Sequence, residues 1–517
     1  MREVTTPVTE SGPGAARQPG PARAVWWRAT RWQSAAAGLR RHWLAAALLT
    51  AGLVLRVLVQ LAYRPALFYI DSSRYLYNAG GMDPVGYKGP LRAILFLANF
   101  DAVAAVQHLL GLAMAVLLYV LLLRRGVPRW LAALAIAPVL LDAYQLQIEQ
   151  MVMPDVWFEA LIVAGLAILL WPRGRAGWRR VLVAGLVLGG AATVAQVAEA
   201  LLVPAVIYLL VEGSSWRRRG SEDGALRHGG WWQAVRRPAV LCVAFAAPML
   251  AYSTVSYLVS GAFFPSHTGF TSFYGRAAAA ADCGTLRLPA AERAMCPTPA
   301  QQAQGPDWLE FARGSPIRPF YRNLPRDQVD KLISNFNDQV LSQQPERLLG
   351  AYASDLVRPF ALTRDGTLGV TPISRWQFQL RYPYNPPHES MAFVHTAVSR
   401  FGGGDPAVWR PVAAFLRGYQ LDGGYTPGPL LGLCVLAGLA GSLALLRRRG
   451  DSATRQLSLA CLLFFLSGVA VLLASNLYEF SWRYQLPALV TLVPAGALGI
   501  TVIIRVLRPA PPAPVQE

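Results

Sequence analysis

The sequence predicts an all-α polytopic membrane protein with about ten transmembrane helices, and three observations carry that prediction. Of the 517 residues, 54% are hydrophobic and only 15% are charged, more apolar surface than a soluble core can hide. Several apolar runs approach the roughly 20 residues that cross a bilayer. The basic residues, which give a net charge of +19, gather in short clusters between those runs. That distribution follows the positive-inside rule and argues against nucleic acid as a partner. Only Lys88 and Lys331 are lysines, an arginine bias that suggests a GC-rich bacterial genome.

Residues 1–41 are polar, Pro/Gly-rich and arginine-bearing, and read as a disordered cytoplasmic tail with no cleavable signal. An N-terminal transmembrane module over 42–261 holds apolar spans near 43–62, 101–123, 129–146, 154–171, 179–195, 198–211 and 238–260. The fifth and sixth are short and close together, and read alternatively as a re-entrant pair or a tilted hairpin. Residues 262–427 form an extracytoplasmic domain between spans seven and eight. Its stretch "DQVDKLISNFNDQVLSQQPERLLGAYASDLVRPF" repeats apolar residues at helical spacing, so the domain should be mainly helical. A C-terminal module over 428–507 holds spans near 428–446, 457–475 and 484–506, followed by a cytoplasmic tail, 508–517.

Arginines set the orientation. Every proposed inside segment carries at least two, whereas the short loops at 145–153 and 196–197 carry none. Both termini are therefore expected in the cytoplasm, with the loop 63–100 and the domain 262–427 outside. At the end of that loop, "LRAILFLANF" should lie along the interface as an amphipathic helix. Cys242, Cys434 and Cys461 sit in apolar runs as small buried hydrophobes. Cys283 and Cys296 flank a polar stretch outside, where a disulfide is permitted, with two free thiols as the alternative.

The residues able to carry chemistry fall on that outer side. "LFYIDSSRYLYNAGGMDPVGYKGPL" supplies Asp71, Arg74, Asp83, Tyr87 and Lys88. "QIEQMVMPDVWFEAL" supplies Glu149 and Asp155. His267, Tyr274 and Arg276 follow the seventh span, and "YEFSWRYQLP" supplies Glu479, Arg483 and Tyr484. Ionisable groups near the bilayer surface are costly unless paired or functional. The bland alternative is that such charges snorkel while the tyrosines form an aromatic belt. Arg56, inside the first span, either snorkels or pairs with an active-site acid. Trp308, Trp376 and Trp409 in the outer domain either form its core or stack on sugars.

At these residues the chain resembles the GT-C superfamily, membrane glycosyltransferases that use polyprenyl-phosphate-linked sugars. Members include protein O-mannosyltransferases and lipid A aminoarabinose transferases. The likeness rests on the ten-span layout, Asp71 just beyond span one, Asp155 opening span four, and "RYQLPAL" at 483–489, similar to an Arg-Tyr-x-x-Pro pattern. "IDSSRY" has one carboxylate where some members have two. "YKGPL" keeps Lys88 but has Tyr87 where several members have glutamate, with Asp83 as the candidate substitute.

The resemblance implies that an acceptor hydroxyl attacks the anomeric carbon and displaces a lipid phosphate, inverting the configuration. Asp71 would take the hydroxyl proton, with Glu149 and Asp155 as competing catalytic acids. Lys88 and Arg483, with Arg74, would meet the leaving phosphate, and a carboxylate such as Glu479 would offset the cations' mutual repulsion. Asp83, Tyr87, His267 and Tyr484 complete the substrate-binding set. No cofactor is fixed by the resemblance; Asp155 would orient the partners of Asp71, bind a sugar hydroxyl or hold a divalent cation. The implied partners are the polyprenyl-phosphate sugar, the bilayer, and a hydroxyl on a polysaccharide, glycolipid or protein. A transporter or flippase of lipid-linked sugars would instead place its charges near the bilayer midplane, and an envelope assembly protein would not need acids in successive loops.

Overall fold

The computed structural model describes residues 40–69, 71–77, 86–172, 174–220, 230–260, 263, 269–364, 366, 369–382, 390–446 and 451–507. Asp83, His267 and both proposed tails lie outside this set, except residues 40–41, which are already helical. Two units result, Met1–Ala47 and Leu48–Glu517; the geometry below belongs to the second. It is an all-α polytopic membrane protein. Each segment expected to span is helical, but their lengths differ.

Seven helices among the described residues are long and apolar enough to cross a membrane. Arg129–Leu141 and Ala143–Gln150, bent by 49°, add an eighth if taken as one broken span. The bend falls at Asp142, which leaves the helical conformation to cap the second helix through the Tyr144 N–H at 3.0 Å. Asp155–Leu170 and Trp178–Val194 have 16 and 17 residues. At 1.5 Å per residue they reach about 24–26 Å, short of a hydrocarbon core roughly 30 Å thick. The expected ten spans are thus seven or eight by length. Asp155–Leu170 lies within one residue of the span expected at 154–171.

The C-terminal helices Gly428–Leu443, Ser452–Ser475 and Leu486–Leu507 pack on one another, while Trp178–Val194 lies between Asp155–Leu170 and Gly230–Ser260. Gly189 makes that last contact possible: a Cβ there would stand 2.1 Å from the Phe245 carbonyl oxygen. Close approach over small residues replaces the hydrophobic drive that lipid cannot supply.

Residues 269–421 add short helices with their own core, including Tyr274, Met295, Ile333, Phe336 and Val340. The stretch with helical spacing forms Arg326–Gln343 and Pro345–Val357, separated at Gln344–Pro345 because proline has no N–H to continue the ladder. Cys283 and Cys296 are joined by a disulfide beside this core. Arg276 pairs with Asp355 at 2.5 Å and donates to the Asn476 carbonyl at 3.1 Å, tying the segment to the last outer turn. On the other flank Tyr63–Arg64 pairs antiparallel with Ala407–Val408.

Candidate functional site

The loops that precede helices Ser72–Tyr77 and Asp155–Leu170 are joined by their backbones. The Leu67 N–H donates to the Gln150 carbonyl and the Val152 N–H donates to the Leu67 carbonyl, each at 2.9 Å. The Ser72 hydroxyl donates to the Val152 carbonyl at 3.0 Å and accepts the Tyr69 N–H at 2.8 Å. Asp71 sits immediately before helix Ser72–Tyr77, and Asp155 is the first residue of Asp155–Leu170. The pairing therefore holds both carboxylates in fixed relation.

Beneath this join lies a fully buried polar cluster. The Gln107 amide donates to the carbonyls of Glu149 at 2.8 Å and Met151 at 2.6 Å, and accepts the Tyr87 hydroxyl at 3.0 Å. The Glu149 carboxylate meets Arg56 at 2.7 Å and His108 at 2.9 Å. Arg56 also donates to the carbonyls of Gly52, Val139 and Leu140 at 3.0–3.1 Å. At Gly111 a Cβ would stand 2.1 Å from a Glu149 oxygen, so only glycine leaves room for the carboxylate. Arg56 does not snorkel; it is 2% exposed and pairs with an acid.

Above the join opens a cavity of about 460 Å³, polar in the charged side chains that ring it though apolar over much of its wall, lined by Asp71 and Arg74 from the first loop and by Glu479, Arg483 and Tyr484 from the last turn. The outer segment contributes Asp307, Glu310, Arg375 and Trp376. Arg483 stands between the two carboxylates, with Nη1 3.7 Å from Asp71 and Nε 3.4 Å from Asp155. The Trp376 ring lies 5.0 Å from its guanidinium, and Tyr69 packs on Trp376 at 4.8 Å. Arg74 reaches Asp71 at 3.6 Å. A second cavity, about 230 Å³ and mostly apolar, is lined by Asp155, Phe158, Val194, Val197 and Pro487. Arg483, Tyr484, Tyr478 and Ser272 border both.

Two further acids in the polar cavity are held near neutrality. Burial pushes the Glu310 carboxyl up to about 8, partly opposed by the Ser272 hydroxyl donating to it at 2.8 Å. Burial, with Asp307 nearby, pushes Glu479 up to about 7, while the Tyr484 hydroxyl donates to it at 3.0 Å. Water removed from around a carboxylate disfavours its charged form.

The structure sorts the expected site residues. Asp71, Arg74, Arg483 and Tyr484 line the polar cavity, and Asp155 meets them through Arg483. Glu149 and Tyr87 do not line it; both are 0% exposed, locked into the cluster beneath by hydrogen bonds that burial makes obligatory. Lys88 begins helix Lys88–Leu97 and is not among the lining residues either. Glu479 pairs with Tyr484, so Asp71 and Asp155 are what offset the Arg483 charge. Trp376 and the half-buried Trp308 line the cavity, whereas Trp409 is 53% exposed. Sequence reading missed Arg375, which pairs with Asp307 at 3.0 Å and donates to the Tyr69 hydroxyl at 3.3 Å. Nothing local marks it; for Asp307 and Glu310 the only signal is acids interleaved with aromatics in "PDWLEF". Among the described residues, no three His, Cys, Asp or Glu side chains converge as they would on a metal ion.

Residues 89–258 match the family model described as dolichyl-phosphate-mannose-protein mannosyltransferase. The match contains Asp155 but neither Asp71 nor Arg483. No curated protein and no solved structure matches the chain. Residues 89–258 are thus similar to a domain of that family, and their setting among apolar helices of membrane-crossing length supports a membrane glycosyltransferase of the GT-C type.

Proposed function

We propose that the protein moves a sugar from a polyprenyl-phosphate donor to a hydroxyl acceptor on the extracytoplasmic face, inverting the anomeric configuration. The observation that carries this reading is Arg483, set between Asp71 and Asp155 where a cavity ringed by charged side chains meets a smaller one lined mainly by apolar residues. The lipid end of the donor enters through the apolar cavity, its phosphate lies at the shared wall, and its sugar faces Asp71. The acceptor oxygen bonds to the anomeric carbon and its proton passes to Asp71. The bond from that carbon to the phosphate oxygen breaks, and its electron pair leaves on the phosphate. Arg483 meets the growing charge, and Arg74 takes the role of second cation in place of Lys88. Asp155 orients Arg483 from the donor side.

The test is transfer of a radiolabelled sugar from its polyprenyl phosphate by purified protein in detergent, comparing wild type with Asp71→Asn. The amide keeps the shape and loses the basic oxygen, so the rate should fall about 10²–10⁴-fold. Activity within about threefold of wild type, well below the usual contribution of a general base, removes Asp71 from that role.

A further inference from the structure

We propose that the outer wall of the polar cavity, formed by Asp307, Trp308, Glu310 and Phe311, is an acceptor subsite for a neutral saccharide. The inference rests on the reading above and names the acceptor class that reading leaves open. One short helix, Pro306–Phe311, supplies all four side chains to the cavity. Two are carboxyls and two are aromatic rings, alternating along a single turn. A sugar ring presents the matching pattern, an apolar C–H face rimmed by hydroxyls. Its C–H bonds suit the negative face of an aromatic ring, and its hydroxyls need partners that both accept and donate. Glu310, only 8% exposed and pushed up to about 8 by burial, is such a partner at neutral pH. Phe311 remains 41% exposed at the cavity rim, with the Arg74 guanidinium 5.7 Å from its ring centroid.

The charges explain why the saccharide is neutral. Arg375 pairs with Asp307 at 3.0 Å, while Arg483 and Arg74 serve the donor phosphate in the reading above. Arg318 donates to the carbonyls of Phe311 and Ala312. No cation of the wall is committed to an anionic acceptor. A peptide acceptor would be read most readily by a strand edge through its backbone. Among the described residues the strands are Tyr63–Arg64 and Ala407–Val408, which pair with each other and do not line the cavity.

Saturation-transfer NMR on the full-length protein in nanodiscs tests this without any donor, using mannobiose, arabinobiose and a threonine-rich octapeptide as probes. At least one disaccharide should receive saturation from wild type. The signal should fall about fivefold or more in Phe311→Ala, which removes the aromatic face, and persist in Phe311→Tyr, which keeps it. Phe311 is exposed enough that the alanine variant should fold, and size exclusion of each variant checks this. Saturation of the peptide alone, of no probe, or of disaccharide equally in Phe311→Ala overturns the subsite. Disaccharide binding by a protein that consumes no polyprenyl-phosphate sugar defeats the donor reading and leaves the subsite standing. Donor consumption with transfer to peptide only does the reverse.

Discussion

Two arginine–carboxylate groups lie one above the other in this protein, and they differ in almost everything but composition. In the lower group, Arg56, Glu149 and His108 are 5% exposed or less, meet at 2.7–2.9 Å, and both Glu149 oxygens are bonded. In the upper group, Asp71, Arg483 and Asp155 have side chains 18–23% exposed, stand 3.4–3.7 Å apart, and leave Asp155 Oδ2 without a hydrogen-bond partner. The lower distances are those of charge-assisted hydrogen bonds; the upper ones are too long for that. Although Arg56 Nε has no hydrogen-bond partner, a sealed group with both carboxylate oxygens bonded has little capacity left for a substrate and serves to hold its loops. A loosely paired group beside a cavity can exchange a protein partner for a ligand with little loss.

That contrast is most sharply tested by paired neutralisations. Asp71→Asn should abolish most transfer, about 10²–10⁴-fold, while leaving the melting temperature in detergent unchanged. Glu149→Ala should instead lower stability by about 3–5 kcal/mol, because Arg56 keeps a buried charge with no counter-ion. Fluorescence-detected size exclusion after heating reads that loss. Equal melting curves for the two variants would erase the distinction between the groups.

Arg483→Lys comes next in size. A point charge cannot span two carboxylates as the guanidinium does, so transfer should drop about tenfold with the fold intact. A smaller effect concerns pH. Glu310 and Glu479 are raised from an ordinary glutamate value to about 8 and about 7, so the fold favours their protonated forms. Their contribution is fully present below the unfolded glutamate pKa near 4.5 and is lost as pH rises through 7–8. Thermal stability should therefore decline between about pH 5 and pH 8.5, and Glu310→Gln should flatten that decline. Lys88→Ala should matter least, changing transfer by less than about threefold, as expected away from the reacting centre.

The structure brings the loops singled out in the sequence together more consistently than it does the individual residues. Asp71, Arg74, Arg483 and Tyr484 reach one cavity as their placement on the outer side suggested. Tyr87, from the same loop as Asp71, and Glu149, from the loop that leads to Asp155, are buried away from it. Spacing along a loop says which depth a residue occupies, but the direction of a side chain depends on what packs behind it. Gln107 and Arg56, both inside predicted spans, supply those partners for Tyr87 and Glu149.

The all-α membrane character and the positions of the long apolar helices were determined by the sequence itself, because apolar run length reports directly on transfer between water and lipid. Tertiary structure alone decided which acids meet an arginine in the open and which are sealed. Asp71 and Arg483 are separated by most of the chain, and their approach depends on the pairing of Leu67 with Gln150 and Val152 and on the docking of the last turn. It also decided that the outer segment completes the cavity, through Arg375, Asp307 and Glu310. Charge pairing acts over a few ångströms in space, and distance along the chain carries almost no information about it.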